Sequence, residues 1–165
     1  MKWPLWMILF FSFRALSQDC NLQKENDPIT NAPKISTGFF NLQLTTLSID
    51  ADSKNVDFFF TVDNSGKCFD YASSVVINFE GGKLKYTMRN SGTVNCEGYF
   101  HFTFRNGATT PTQLLNLSEK KVVSLKFLGT NKDETTVTLV PQQQELLMKL
   151  TACIIAESKT LLPAN

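Results

Sequence analysis

The chain has 165 residues, with 16 lysines and arginines against 15 acidic residues, one histidine and a net charge of +1. That is the length of one domain with a real core, and it leaves no electrostatic footprint for nucleic acid or an anionic membrane. Its four cysteines lack CxxC or HxxxH spacing, which leaves a zinc site unsupported.

Residues 1–17, MKWPLWMILFFSFRALS, read as an export signal. Lys2 lies near the start, an apolar run extends from Leu5 to Phe11, and Ala15-Leu16-Ser17 puts small residues where a signal peptidase reads. The run is too short to span a bilayer, and no later segment has the length for it. Cleavage after Ser17 removes Lys2 and Arg14, so 16 basic residues become 14 against 15 acidic ones and the net charge becomes −1. The expectation is a single domain over residues 18–165, secreted or periplasmic, whose four cysteines form disulfides.

Asp19 to Ser36, with Pro28 and Pro33, reads as an extended, loop-rich lead-in. Phe39 to Ile49 alternates with Phe40, Leu42 and Leu44 on one side and then shifts phase to Leu47 and Ile49, which predicts a bulge near Thr45-Thr46. After a turn over Asp50 to Asn55, Val56, Phe58, Phe60 and Val62 alternate with Asp57, Phe59, Thr61 and Asp63 as a strand.

Ser74 to Arg89 reads as a β-hairpin closed on Gly81-Gly82. With Glu80 facing Lys83, its register sets Phe79 by Leu84, Ile77 by Tyr86 and Val75 by Met88 on an apolar face. Asn78 by Lys85 and Val76 by Thr87 fall on a polar one. A slip by one residue would oppose core side chains to lysines. Extended downward, the register places Cys68 opposite residue 95. One bulge or loop residue then brings Cys68 and Cys96 together and leaves Cys20 for Cys153.

Tyr99 to Arg105 sets Phe100, Phe102 and Phe104 on one face and Tyr99, His101, Thr103 and Arg105 on the other, and Asn106-Gly107 reads as a turn. Ala108 to Lys120 is ambiguous, its Thr and Pro content favouring loop while Leu114-Leu115 dips into the core. Val123, Leu125 and Phe127 mark a strand, and Thr135 to Val140 its hairpin partner. Pro141 starts the one convincing helix, near 141–157, with Leu146, Leu147, Leu150, Cys153 and Ile154 on one stripe. These elements predict a mainly β domain: an antiparallel curved sheet, sandwich or partial barrel of about seven or eight strands with one C-terminal helix.

Chemistry is sparse. His101 has no GxSxG partner and would need a carboxylate or nucleophile beside its ring to act in hydrolysis. Asp57, Asp63 and Asp70 do not follow calcium-loop spacing. Gly81-Gly82 precedes no helix and is no phosphate cradle. Asn116-Leu117-Ser118 matches a glycosylation sequon. Phe59 and Tyr99 fall on nominally polar faces and are candidates for an exposed aromatic patch for a ligand or partner, while a two-sided sheet covered by the helix accounts for Phe59 equally well.

The signal ending before Gln18, the stretch from Cys20 through Glu25-Asn26-Asp27-Pro28-Ile29-Thr30, the inner cysteines around a glycine hairpin and the ending LLMKLTACII resemble small uncharacterised exported proteins of Bacteroidota. That resemblance implies no activity and carries over no functional residue. Gly38-Phe39-Phe40 also sits where lipocalins carry a GxW motif, although the tryptophan and its arginine partner are missing. The expected function is that of an exported non-enzymatic domain, without cofactor or metal, that binds a protein or surface partner. A lipocalin-type carrier of a small apolar ligand is the alternative, and an internal cavity separates the two.

Overall fold

The computed structural model describes residues 20–62 and 66–163; the export segment, its cut after Ser17 and Asp63 lie outside them. In chain order the elements are β1 (Gln23–Asn26), β2 (Pro33–Ser36), β3 (Phe40–Leu42), β4 (Thr45–Ala51), β5 (Asn55–Val62), β6 (Ser74–Phe79), β7 (Lys85–Arg89) and β8 (Tyr99–Arg105). Helix α1 (Thr112–Glu119), β9 (Val122–Leu128), β10 (Glu134–Thr138) and helix α2 (Pro141–Ser158) complete the chain. The strands form two antiparallel sheets, β1-β2-β4-β5-β8 with β3 beside β4, and β10-β9-β6-β7. Neither sheet closes on itself.

Alternation builds the core. Val56, Phe58, Phe60 and Val62 on β5 and Phe100, Phe102 and Phe104 on β8 are all buried on one face of the first sheet. Val75, Ile77 and Phe79 on β6 and Leu125 and Phe127 on β9 answer from the second. Phe127 meets Phe60 and Phe100 edge to face, each at 5.3 Å between ring centres, so the two inner faces pack directly on each other. Helix α2 packs against β2, β4 and β5 of one sheet and β9 of the other, and α1 packs on α2.

The β6–β7 register is the one its alternation demands, from Ser74 opposite Arg89 to Asn78 opposite Lys85. The turn is wider than a two-residue closure: the Glu80 N–H donates to the Lys121 carbonyl, and Gly82 N–H donates to the Phe79 carbonyl. Gly81 and Gly82 both have positive φ, 82° and 68°. Below the hairpin, Phe69 bridges Asn95, a slip of one residue from the β6–β7 register, and Cys68 bonds Cys96. Cys20 bonds Cys153, and the paired Cα atoms lie 3.9 and 5.7 Å apart, within disulfide reach. Two disulfides are the chemistry of an oxidising compartment. Among the described residues no helix is long and apolar enough to cross a membrane.

Further local expectations are corrected. The lead-in is a hairpin, β1–β2, whose turn is held by Asp27 Oδ1 accepting from the Ile29 and Thr30 amides and the Thr30 hydroxyl. The phase shift after Leu42 is a chain reversal rather than a bulge: Leu42 pairs with Thr45, and Gln43 takes a left-handed φ of 58°. Leu44 is therefore exposed. Residues 112–119 are helical, burying Leu114 and Leu117 while Leu115 stays exposed. An irregularity between Asn78 and Phe79 on β6 swaps the faces at the start of β9, burying Val122 in place of Val123. On α2 the buried stripe runs through Leu147, Thr151, Cys153, Ile154 and Ser158, and Leu146 faces solvent.

Asn106 is a buried clasp as much as a turn residue. Its side-chain amide donates to the carbonyls of Asp52 at 2.7 Å and Ser158 at 3.0 Å, and its own N–H reaches Lys54. One side chain thereby ties the β4–β5 turn and the end of β8 to the end of α2.

The Cys20–Cys153 bond, seconded by the Lys24–Glu157 ion pair at 3.2 Å, anchors the β1–β2 hairpin to α2. Replacing both cysteines by serine should cost about 2–5 kcal/mol in urea unfolding. Amide exchange should accelerate in β1, β2 and the last turns of α2 while the β5–β8 and β6–β9 pairings keep their protection.

Candidate outer-face cleft

The same alternation that buries seven side chains of β5 and β8 sends their neighbours to the opposite face of the first sheet. The registers fix their arrangement. Ser48, Phe59 and His101 form one row across β4, β5 and β8, flanked by Thr46, Thr61 and Tyr99 on one side and Asp50, Asp57 and Thr103 on the other. The Phe59 ring lies 5.5 Å from Tyr99 and 6.3 Å from the His101 imidazole. Phe39, held beside it after Gly38 at φ 65°, meets Phe59 edge to face at 6.1 Å. Phe39 is 65% exposed and Tyr99 44%, so the patch faces solvent.

The loop from Asn90 to Gly98 folds over one side of this patch. Asn90 is buried, and its Oδ1 accepts from the Gly92 and His101 amides at 3.2 and 3.0 Å. Ser91 donates its N–H and its hydroxyl to the His101 carbonyl. Asn95 pins the far end, donating to the Thr93 and Tyr99 carbonyls and accepting from the Glu97 and Tyr99 amides. The result is an open cleft of about 430 Å³ with Phe59, Tyr99 and His101 as its floor and Ser91, Gly92, Thr93 and Asn95 as its wall. Gly92 lies close against this floor: a Cβ there would be 3.2 Å from His101 Cβ and 3.3 Å from Asn90 Oδ1, so any side chain would have to push one of them aside. Clefts beside β1–β2 and before α1 present no aromatic ring.

Asp57 Oδ1 lies 3.5 Å from His101 Nε2, an ion-pair distance for a protonated imidazole. The geometry is too poor for a hydrogen bond, and Oδ1 is buried without another partner. On its other side Asp57 stands opposite Asp50, which Lys34 neutralises at 3.2 Å. The sequence marked His101 and Asp57 separately but not as neighbours. Their pairing depends on the β5–β8 register, which alternation within either strand does not supply.

His101 therefore has the carboxylate that hydrolytic use would need, but no nucleophile is hydrogen-bonded to its ring among the described residues. The Ser91 hydroxyl is spent on the His101 carbonyl. Asp70 is a turn residue, accepting from the Ser73 hydroxyl and from the Ser73 and Ala72 amides. Among the described residues no three His, Cys, Asp or Glu side chains are grouped to hold a metal. Asn116 sits within α1 with its amide donating to the Tyr86 hydroxyl. The four cysteines are all bonded, and Cys68–Cys96 braces the base of the cleft loop.

Gly98, buried at φ 80°, closes that loop, and a Cβ there would meet the Val62 carbonyl oxygen at 2.6 Å. Gly98→Ala should lower stability by at least about 1–2 kcal/mol from the left-handed backbone alone. Exchange at residues 91–98 should rise with it, as hydrogen exchange would record.

The Ser73 hydroxyl, with the Ser73 and Ala72 amides, holds the Asp70 carboxyl below its usual range. A depressed carboxyl contributes stability above its unfolded pKa, about 3.9, and loses it as pH falls through the lower folded value. Asp70→Asn should therefore be less stable than the parent at pH 7, and the gap should shrink by about pH 2–3. Urea melts at the two pH values check this; an unchanged gap would mean the charge contributes nothing.

Comparison with protein-family models, with curated proteins and with solved structures returns no match, so the chemistry of the cleft is read from its own residues.

Proposed function

We propose that this chain is an exported, non-enzymatic binding domain whose recognition surface is the outer face of β4, β5 and β8 with the loop over residues 90–98. The observation that carries this reading is the cluster of Phe59, Tyr99 and His101 on a strand face where alternation calls for polar residues, with the exposed Phe39 packed beside it. Exposed aromatic surface next to a cleft is costly to leave in water and is the usual mark of a contact surface. Its frame is rigid: strand pairing holds the floor, and Asn90, Asn95 and Cys68–Cys96 hold the wall. Such preorganisation lowers the ordering cost of binding.

The carrier reading draws no support from the interior. Stacked and edge-to-face phenylalanines, Phe58 on Phe102 at 5.0 Å and Phe69 on Phe100 at 5.3 Å, fill the space a carrier would keep open.

The test is recovery of what the oxidised protein holds in its native host, followed by hydroxyl-radical footprinting of the complex. Protection of Phe39, Phe59 and Tyr99, with retention lost in a Phe39→Ala/Tyr99→Ala variant, is the expected outcome. Protection confined to the outer face of β6, β7, β9 and β10 would overturn the reading.

A further inference from the structure

Resting on that reading, we infer that the outer-face cleft takes a neutral saccharide, one or two sugar rings at a time. The floor carries three rings on adjacent strands, Phe59 at 5.5 Å from Tyr99 with a tilt of 39° and at 6.3 Å from His101 with a tilt of 60°, so that together they offer a faceted aromatic surface. A sugar ring carries C–H groups on its flat faces and hydroxyls around its rim. Its faces suit the electron-rich faces of aromatic rings, and its rim needs directional donors and acceptors.

The cleft supplies those at its edge. His101 Nδ1 lies on the side of Gly92, where an imidazole nitrogen can donate to or accept from a ligand hydroxyl. The Thr93 hydroxyl makes no hydrogen bond among the described residues, and the Ser91 oxygen keeps its lone pairs while donating to His101. A volume of about 430 Å³ lies in the range of small-ligand sites.

Other ligand chemistries fit less well. An anion would approach the Asp57 carboxylate. A purely apolar ligand would strip water from His101 and Asp57 and give nothing back. A quaternary ammonium needs rings around a point, whereas these lie across a sheet.

The experiment is amide chemical-shift titration of the oxidised, 15N-labelled protein. The probes are trisaccharides of glucose, N-acetylglucosamine, mannose, galactose and xylose, with choline and laurate alongside. At least one trisaccharide should saturably shift Gly92, Thr93, Tyr99 and His101. Tyr99→Ala should weaken that binding at least about tenfold, as loss of a central aromatic contact does, and Tyr99→Phe should keep it. Thr93→Trp, which fills the cleft from an exposed loop position and spares the core, should abolish it even if Tyr99→Ala folds poorly. Silence of all five trisaccharides, or shifts at residues elsewhere, overturns the saccharide assignment. Choline or laurate shifting the same four amides while the sugars stay silent also overturns it, yet leaves the outer face standing as the binding surface. Footprints on the opposite sheet in the recovered complex would remove both.

Discussion

The edge-to-face contact of Phe127 with Phe60 and Phe100 is the joint on which the two sheets turn. It is a contact between sheets that share no strand, so nothing in the hydrogen-bond ladders would hold them together without it. Phe69 extends it, lying 6.3 Å from Phe127 and 5.3 Å from Phe100 just beyond the disulfide at Cys68. Rings of this size each bury roughly 150–250 Å², so a few of them dominate the burial that sets one sheet on the other. Because the rings are inflexible, they also fix how far apart the sheets stand, and with it the position of every residue on the outer faces.

Those outer faces differ in character. On the second sheet Asn78, Lys85, Thr87, Arg89 and Lys126 give a polar, basic surface, with Lys126 paired to Glu134 at 2.8 Å. On the first, the aromatic row and the facing pair Asp50 and Asp57 break that pattern. Two carboxylates directly opposed across strands oppose folding, and here Lys34 offsets Asp50 at 3.2 Å while the His101 ring stands beside Asp57. A face built for water alone would need neither the acids nor the rings.

What the sequence made legible was what alternation encodes. The β6–β7 register, the buried faces of β5 and β8, the helix beginning at Pro141 and the approach of Cys68 to Cys96 all follow from period and spacing. Missing were elements whose burial pattern carries no period. Strand β1 is exposed at all four positions, and its existence depends on the Asp27 turn and the Cys20 anchor. The reversal at Gln43-Leu44 uses no glycine, proline or asparagine, so a left-handed glutamine had no signal to announce it. Helix α1 is eight residues long, too short for its periodicity to outweigh the neighbouring threonines and prolines. For the cleft, Phe59 and Tyr99 stood out as aromatics out of phase. The wall around Gly92 and the closeness of Asp57 to His101 are products of pairing between strands, which no single strand's pattern contains.

Asn90 and Ser91 have a consequence apart from ligands. Strand β8 ends its sheet, and an end strand offers unpaired N–H and C=O groups as a template on which another chain can align. Asn90 accepts from the His101 N–H and Ser91 donates to the His101 carbonyl, so that template is plugged near its middle. On β7, one end strand of the other sheet, Lys85 and Arg89 place charge at the same kind of border. The loop that walls the cleft is therefore also a guard against fibril-like stacking. Any variation that reshapes it for a different ligand must keep Asn90 and Ser91 in place or reopen the border to self-association.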